Sequence, residues 1–183
     1  MSTRPYSVCL FLLCGFLITS CVGIKTYVIE DPDRNRTIYQ LRTLFTDVSR
    51  DFVGPYGNMS IAIEMHVPFA SVDTSFYIRA LTLSPNRWTI SSGDTMSLTI
   101  DGRRTYLLCS QPRVSGQDDG VTMQHTPYYL SGGSYKVNRL VVRSMANAST
   151  VDIGIHAAEG VITGRLTKSK LEAIGKFQGR YFP

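Results

Sequence analysis

Apolar and polar positions alternate through most of this chain. Ile61, Ile63, Met65 and Val67 fall on one side of a run whose other side carries Ala62, Glu64 and His66, the period of a half-buried strand. Phe76 to Leu83 repeats the alternation with Ile78 and Ala80 set against Tyr77, Leu81 and Leu83; both sides are apolar, as in a central strand. The Asp101-Gly102 pair between Met96–Ile100 and Arg103–Cys109 predicts a two-residue hairpin, since both turn positions of that type need positive φ. Register follows: Ile100 meets Arg103, Leu98 meets Thr105 and Met96 meets Leu107, which turns Cys109 toward the core. Val151, Ile153 and Ile155 alternate with Asp152, Gly154 and His156, and Val161–Leu166 returns after Glu159-Gly160 as a second hairpin.

Other stretches are read differently. Lys25–Glu30 fits a short strand or a tether, and Asp31 to Asn35 a charged turn. Residues 37–52 fit both a helical stripe (Ile38, Leu41, Phe45, Val48 and Phe52) and a strand, and their Thr and Tyr content favours strand. Gln111–Thr126, with Pro112, Ser115, Gly116 and Gly120, reads as a long exposed loop. A short strand at Tyr128–Leu130 is expected to break at Ser131-Gly132-Gly133-Ser134. A helix over Tyr135–Ala148 follows, with Val137, Leu140, Val141, Met145 and Ala148 on one stripe and Lys136, Arg139 and Arg143 opposite. Ser169 and Glu172 have capping-box spacing for a short final helix whose apolar side is Leu171, Ile174 and Phe177.

Hairpin-linked strands followed by two late helices predict a mostly-β protein, an antiparallel β-sandwich carrying two helices near its end. An α+β sheet with helices on one face is the alternative. Neither an internal repeat nor a low-complexity tract interrupts the pattern.

The first residues follow another logic. Arg4 precedes an apolar run from Tyr6 to Ile18, the arrangement a translocon reads. Ile18, Thr19, Ser20 and Cys21 then follow, and this stretch resembles the lipobox of bacterial lipoproteins. The resemblance implies cleavage before Cys21, lipidation of its thiol, and a cell-envelope protein held to the membrane by acyl chains, each buried methylene contributing about 0.8 kcal/mol. Val22 fits delivery to the outer membrane, if the cell has one, because lipoproteins of this kind retained inside usually carry Asp there. An ordinary secretory cleavage, giving a secreted protein, and an uncleaved spanning anchor are the alternatives. The division is then signal peptide 1–20, tether 21–36 and a single β-rich domain 37–183.

With that division, 163 residues follow the cleavage point, enough for one domain with a sizeable core. Cys9 and Cys14 leave with the signal and Cys21 is lipidated, so Cys109 has no partner for an internal disulfide. The whole-chain charge of +5 becomes +4 once Arg4 is removed. That bias suits acidic envelope polymers, anionic headgroups or another envelope protein, while the scattered basic residues do not form a nucleic-acid arm.

Candidate chemistry is sparse. Glu64 with His66, and Asp152 with His156, share outward strand faces and would form a zinc-type donor set if their strands were adjacent; a solvated sheet face is the plainer reading. Ser131 and Ser134 are better explained as a helix start than as nucleophiles, Cys109 as a core residue, and Asp118-Asp119 as a solvated turn. No metal or cofactor is expected. The Lys136, Arg139 and Arg143 stripe is a candidate binding surface. Sequons at Asn35, Asn58 and Asn147 weigh against a bacterial source, yet in a chain so rich in Ser and Thr they carry little information. The leading expectation is a lipid-anchored envelope protein with a non-catalytic binding or structural role. A periplasmic or surface hydrolase using the 111–126 loop and a secreted enzyme inhibitor are the rivals.

Overall fold

The computed structural model describes residues 25–44, 47–48, 58–70, 73–85, 87–114, 121–123 and 126–182. Its strands are β1 (Lys25–Asp31), β2 (Arg36–Leu44), β3 (Asp47–Val48), β4 (Asn58–Pro68), β5 (Ser75–Ser84), β6 (Thr95–Ile100), β7 (Arg103–Val114), β8 (Val121–Met123), β9 (Thr126–Val137), β10 (Val151–Ala157) and β11 (Gly160–Leu166). Two helices follow late in the chain, α1 (Arg139–Ala146) and α2 (Lys168–Tyr181). The strands run in the order β1-β2-β4-β5-β9-β7-β6-β10-β11-β3, with β8 on β9, and the sheet does not close among the described residues. All neighbours are antiparallel.

Strand β7 belongs to both halves of this sheet. Its first part pairs with β6, and beyond a register shift between Cys109 and Gln111 its second part pairs with β9. Such bends let one strand pass between the layers of a sandwich. Ile61, Ile63 and Ile78 from one half share a single buried cluster with Met96, Leu98, Ile153 and Ile155 from the other. The mostly-β, antiparallel architecture with two late helices is therefore the one expected. Helix α1 adds Val142 and Met145 to the core, and α2 adds Leu171, Ile174 and Phe177. Each such side chain contributes about 1.5–3 kcal/mol when fully buried.

The Asp101-Gly102 hairpin has the expected register, Ile100 with Arg103 through Met96 with Leu107, and positive φ of 45° and 83° at the turn. Cys109 is buried, as its parity required. Residues 36–44 are a strand rather than a helix, and the strand reading of Lys25–Glu30 is realised: β1 pairs with β2 over seven residue pairs, within the stretch assigned to a tether.

Four expectations are corrected. Wherever the 111–126 stretch is described it is strand, since β7 runs to Val114, β8 covers Val121–Met123 and β9 begins at Thr126; Asp118 and Asp119 lie outside the described residues. Ser131-Gly132-Gly133-Ser134 does not break β9 but forms its buried centre. Between β5 and β7 there is no room for side chains: a Cβ on Gly132 would stand 2.4 Å from the Ala80 carbonyl oxygen, and one on Gly133 2.7 Å from Cys109 Sγ. Glycine here marks close approach of neighbouring chains. The first helix consequently starts at Arg139, where the Asn138 side chain accepts from Leu140 N, and it buries Val142 and Met145 while Leu140 is exposed. The last helix is longer than expected, and Thr167, not Ser169, stands at its N-cap.

Candidate functional site

The outer side of β2, β4 and β5 gathers the polar residues that alternate with the core. Register places Glu64 between Gln40 and Tyr77, and His66 between Ile38 and Ser75. Asp31 Oδ2 accepts from Arg36 Nε at 3.0 Å, Arg36 reaches His66 Nδ1 at 2.8 Å, and His66 Nε2 reaches Glu64 Oε2 at 3.0 Å. Arg79 donates to the same Glu64 oxygen at 3.1 Å, and Gln40 to the other. Because a guanidinium only donates, this geometry assigns His66 the tautomer with its proton on Nε2, directed at Glu64.

Glu64 is 1% exposed and His66 6%, so the expectation of a solvated face is corrected here. Strand β4 lies between β2 and β5, and the long side chains of Arg36, Gln40, Tyr77 and Arg79 close over it; the Tyr77 ring lies 4.5 Å from the imidazole. Burial alone would raise the Glu64 carboxyl. The His66 hydrogen bond, the Arg79 charge and the Gln40 amide outweigh that and hold it below its ordinary value of 4.5. Both ring nitrogens of His66 and both carboxylate oxygens of Glu64 are directed at neighbours, an arrangement that fixes strands and leaves neither ring nitrogen of His66 open as a base.

Asp152 and His156 lie elsewhere. Four strands separate β10 from β4 in the sheet, so the two acid–imidazole pairs do not combine, and among the described residues no group of three His, Cys, Asp or Glu is placed to hold a metal. Asp152 instead forms a two-point ion pair with Arg165, its cross-strand partner. His156 lies 6.2 Å from the Tyr106 ring, and its Nε2 is buried with no hydrogen-bond partner among the described residues. Ser131 and Ser134 are buried in β9, and burial raises the Cys109 thiol although the Gln111 and Ser134 backbone hydrogen bonds oppose it, the opposite of an activated nucleophile.

The basic residues are divided by the structure. Lys136 is exposed near the end of β9, not on a helix, whereas Arg139 and Arg143 belong to α1. Lys136 and Arg139 meet at the rim of a cleft of about 840 Å³ whose wall includes Asp73, Phe76, Tyr181 and Phe182; Arg143 is outside it. Arg139 donates to the Phe182 carbonyl at 3.0 Å, and Phe182 meets Phe76 edge-on at 5.0 Å, so the end of α2 builds one side of the cleft. Sequence reading missed these aromatic residues. The Tyr181-Phe182 pair at the end of an amphipathic helix was the available signal, but only the sheet order brings Phe76 to it. Neither His66 nor His156 lines this cleft.

No family model, curated protein or solved structure matches the chain.

Proposed function

We propose that this chain is a lipid-anchored cell-envelope protein whose β domain binds an acidic envelope component, a polymer or a protein surface, without chemical turnover. The observation that carries the binding reading is the cleft, where exposed Lys136 and Arg139, two cations against the one carboxylate of Asp73, stand beside Phe76, Tyr181 and Phe182. Cations at the mouth of a partly aromatic cleft favour an anionic ligand with some apolar surface. The non-catalytic reading is supported by the polar row of β4, in which His66 and Glu64 are both engaged by neighbours. The address rests on the resemblance of residues 18–21 to a lipobox; only Val22, Gly23 and Ile24 separate Cys21 from the first residue of β1, which would keep the sheet edge within about 15 Å of the acyl chains.

Binding of the full-length chain to polyglutamate at rising ionic strength tests this. The expected result is an affinity that falls with salt and drops several-fold in Lys136→Glu, which reverses a rim charge and leaves the fold alone. Equal binding by both chains would remove the cleft from the proposal. Turnover of an ester, peptide or glycan substrate, abolished by a His66 or His156 substitution, would replace it with the hydrolase reading.

A further inference from the structure

The first strand lies at the sheet's edge and is unusually apolar for that position. Among the described residues β1 pairs with β2 alone, and Tyr27, Val28 and Ile29 are 40%, 57% and 42% exposed. An exposed edge with free backbone donors and acceptors is usually defended by a charge, a proline or a bulge in mid-strand. Here Lys25, Glu30 and Asp31 stand at the ends, and the middle is undefended.

The order of residues in this strand is self-complementary. When two copies of Lys-Thr-Tyr-Val-Ile-Glu-Asp are laid antiparallel about a two-fold axis at Val28, Lys25 meets Asp31, Thr26 meets Glu30, Tyr27 meets Ile29 and Val28 meets itself. Each ionic pair is of opposite sign, and the aromatic residue meets a β-branched one, the pairings that stabilise antiparallel neighbours. Centring on Ile29 instead would set Tyr27 against Asp31 and Val28 against Glu30. Asp31 keeps its intramolecular partner in the preferred register: both Arg36 contacts fall on Oδ2, so Oδ1 can face Lys25 of the other copy.

We propose that β1 is the interface of a symmetric homodimer in which a second copy of this chain adds its own β1 antiparallel, in the register centred on Val28, to make one continuous sheet. The isologous geometry closes on itself and uses up the β1 edge of each copy, so pairing through β1 stops at two copies. A single strand pair is a small interface, so a weak dissociation constant, on the order of 10 µM, is expected in solution. Confinement of two anchored chains to one membrane would raise the dimer fraction without any new contact.

Disulfide trapping with single-cysteine additions to the full-length chain tests both the pairing and its register. In the proposed dimer the two Val28 Cα atoms are about 4.5–5.5 Å apart, inside disulfide range, whereas the two Thr26 Cα atoms are about 14 Å apart. Under mild oxidation with copper phenanthroline, Val28→Cys is expected to give a covalent dimer above the background of the parent chain. Thr26→Cys and Glu30→Cys should each give none alone and a dimer when mixed. Equal trapping at all three positions, or none at Val28, would overturn the proposal. Sedimentation of the uncrosslinked chain provides the second measurement: Thr26→Lys, facing Glu30, should raise the dimer fraction and Thr26→Glu lower it, and a chain that is monomeric at ten times the stated constant would contradict the interface. All three positions are solvent-exposed, so these variants do not disturb the core.

Discussion

Replacing Glu64 by Gln keeps the shape of the side chain and removes its charge. The carboxylate accepts from Arg79, His66 and Gln40. Hydrogen bonds to a charged group contribute about 1.5–3 kcal/mol each when buried. The full sum does not apply, because the Arg79 side chain is 32% exposed and water takes over part of its solvation. The amide can still accept from His66 or Arg79, but its own NH2 group would face the Gln40 donor. The net cost is therefore about 2–3 kcal/mol, which for a chain of this size lowers Tm by roughly 4–12 °C. Urea unfolding is readily followed through Trp88, which is 3% exposed and the only tryptophan in the sequence. The cost should also depend on pH with a definite sign. Glu64 titrates lower in the folded chain than its ordinary 4.5, so the unfolded chain binds more protons in acid. Its contribution is complete above about pH 4.5 and fades as pH falls through the folded value. The gap between wild type and Glu64→Gln should accordingly be widest near pH 7 and shrink below pH 4. A gap under about 0.5 kcal/mol at pH 7, or one that stays constant down to pH 3, would refute this reading of the buried row.

Three further outcomes test the packing. Gly132→Ala places a Cβ 2.4 Å from a backbone oxygen of β5 and should cost about 3 kcal/mol or more, visible as a large loss in urea midpoint. Tyr135→Phe removes a hydroxyl that is buried without a hydrogen-bond partner among the described residues, so it should raise stability by about 1 kcal/mol and Tm by about 2–4 °C in a melting experiment; a loss would show that the hydroxyl is satisfied. Asp152→Ala breaks an ion pair whose side chains are 62% and 42% exposed, and should change unfolding free energy by under about 1 kcal/mol, less still in high salt.

What was legible in the sequence was local. Asp101-Gly102 dictates a turn type, the turn dictates register, and register turns Cys109 inward; no tertiary information is needed along that path. The hairpin of β10 and β11 was legible from its alternation, although its turn residues are Ala158 and Glu159 and Gly160 already pairs in β11. The centre of β9 was illegible because Gly132 and Gly133 break strands by propensity, while here they are demanded by the closeness of Ala80 and Cys109, which are distant in sequence. Glu64 and His66 read as solvated for a related reason: alternation shows that they leave the core, but their cover comes from Arg36, Tyr77 and Arg79 on neighbouring strands. The cleft joins residues of β5, β9 and α2, and only sheet order assembles it. Lys136 and Arg139 were nominated on one helical stripe, but Lys136 belongs to β9 and only Arg139 and Arg143 to α1, so the pair that lines the cleft is joined across the junction between strand and helix.

The N-terminal residue of the protein isolated from its own cells decides between an envelope protein and everything else. Mass spectrometry of the N-terminal fragment should find Cys21 as the first residue, with its sulfur carrying a diacylglyceryl group, and Cys21→Ser should abolish both that mass and membrane fractionation. An unmodified polypeptide beginning at Met1 and recovered from the cytosol would contradict the proposal outright.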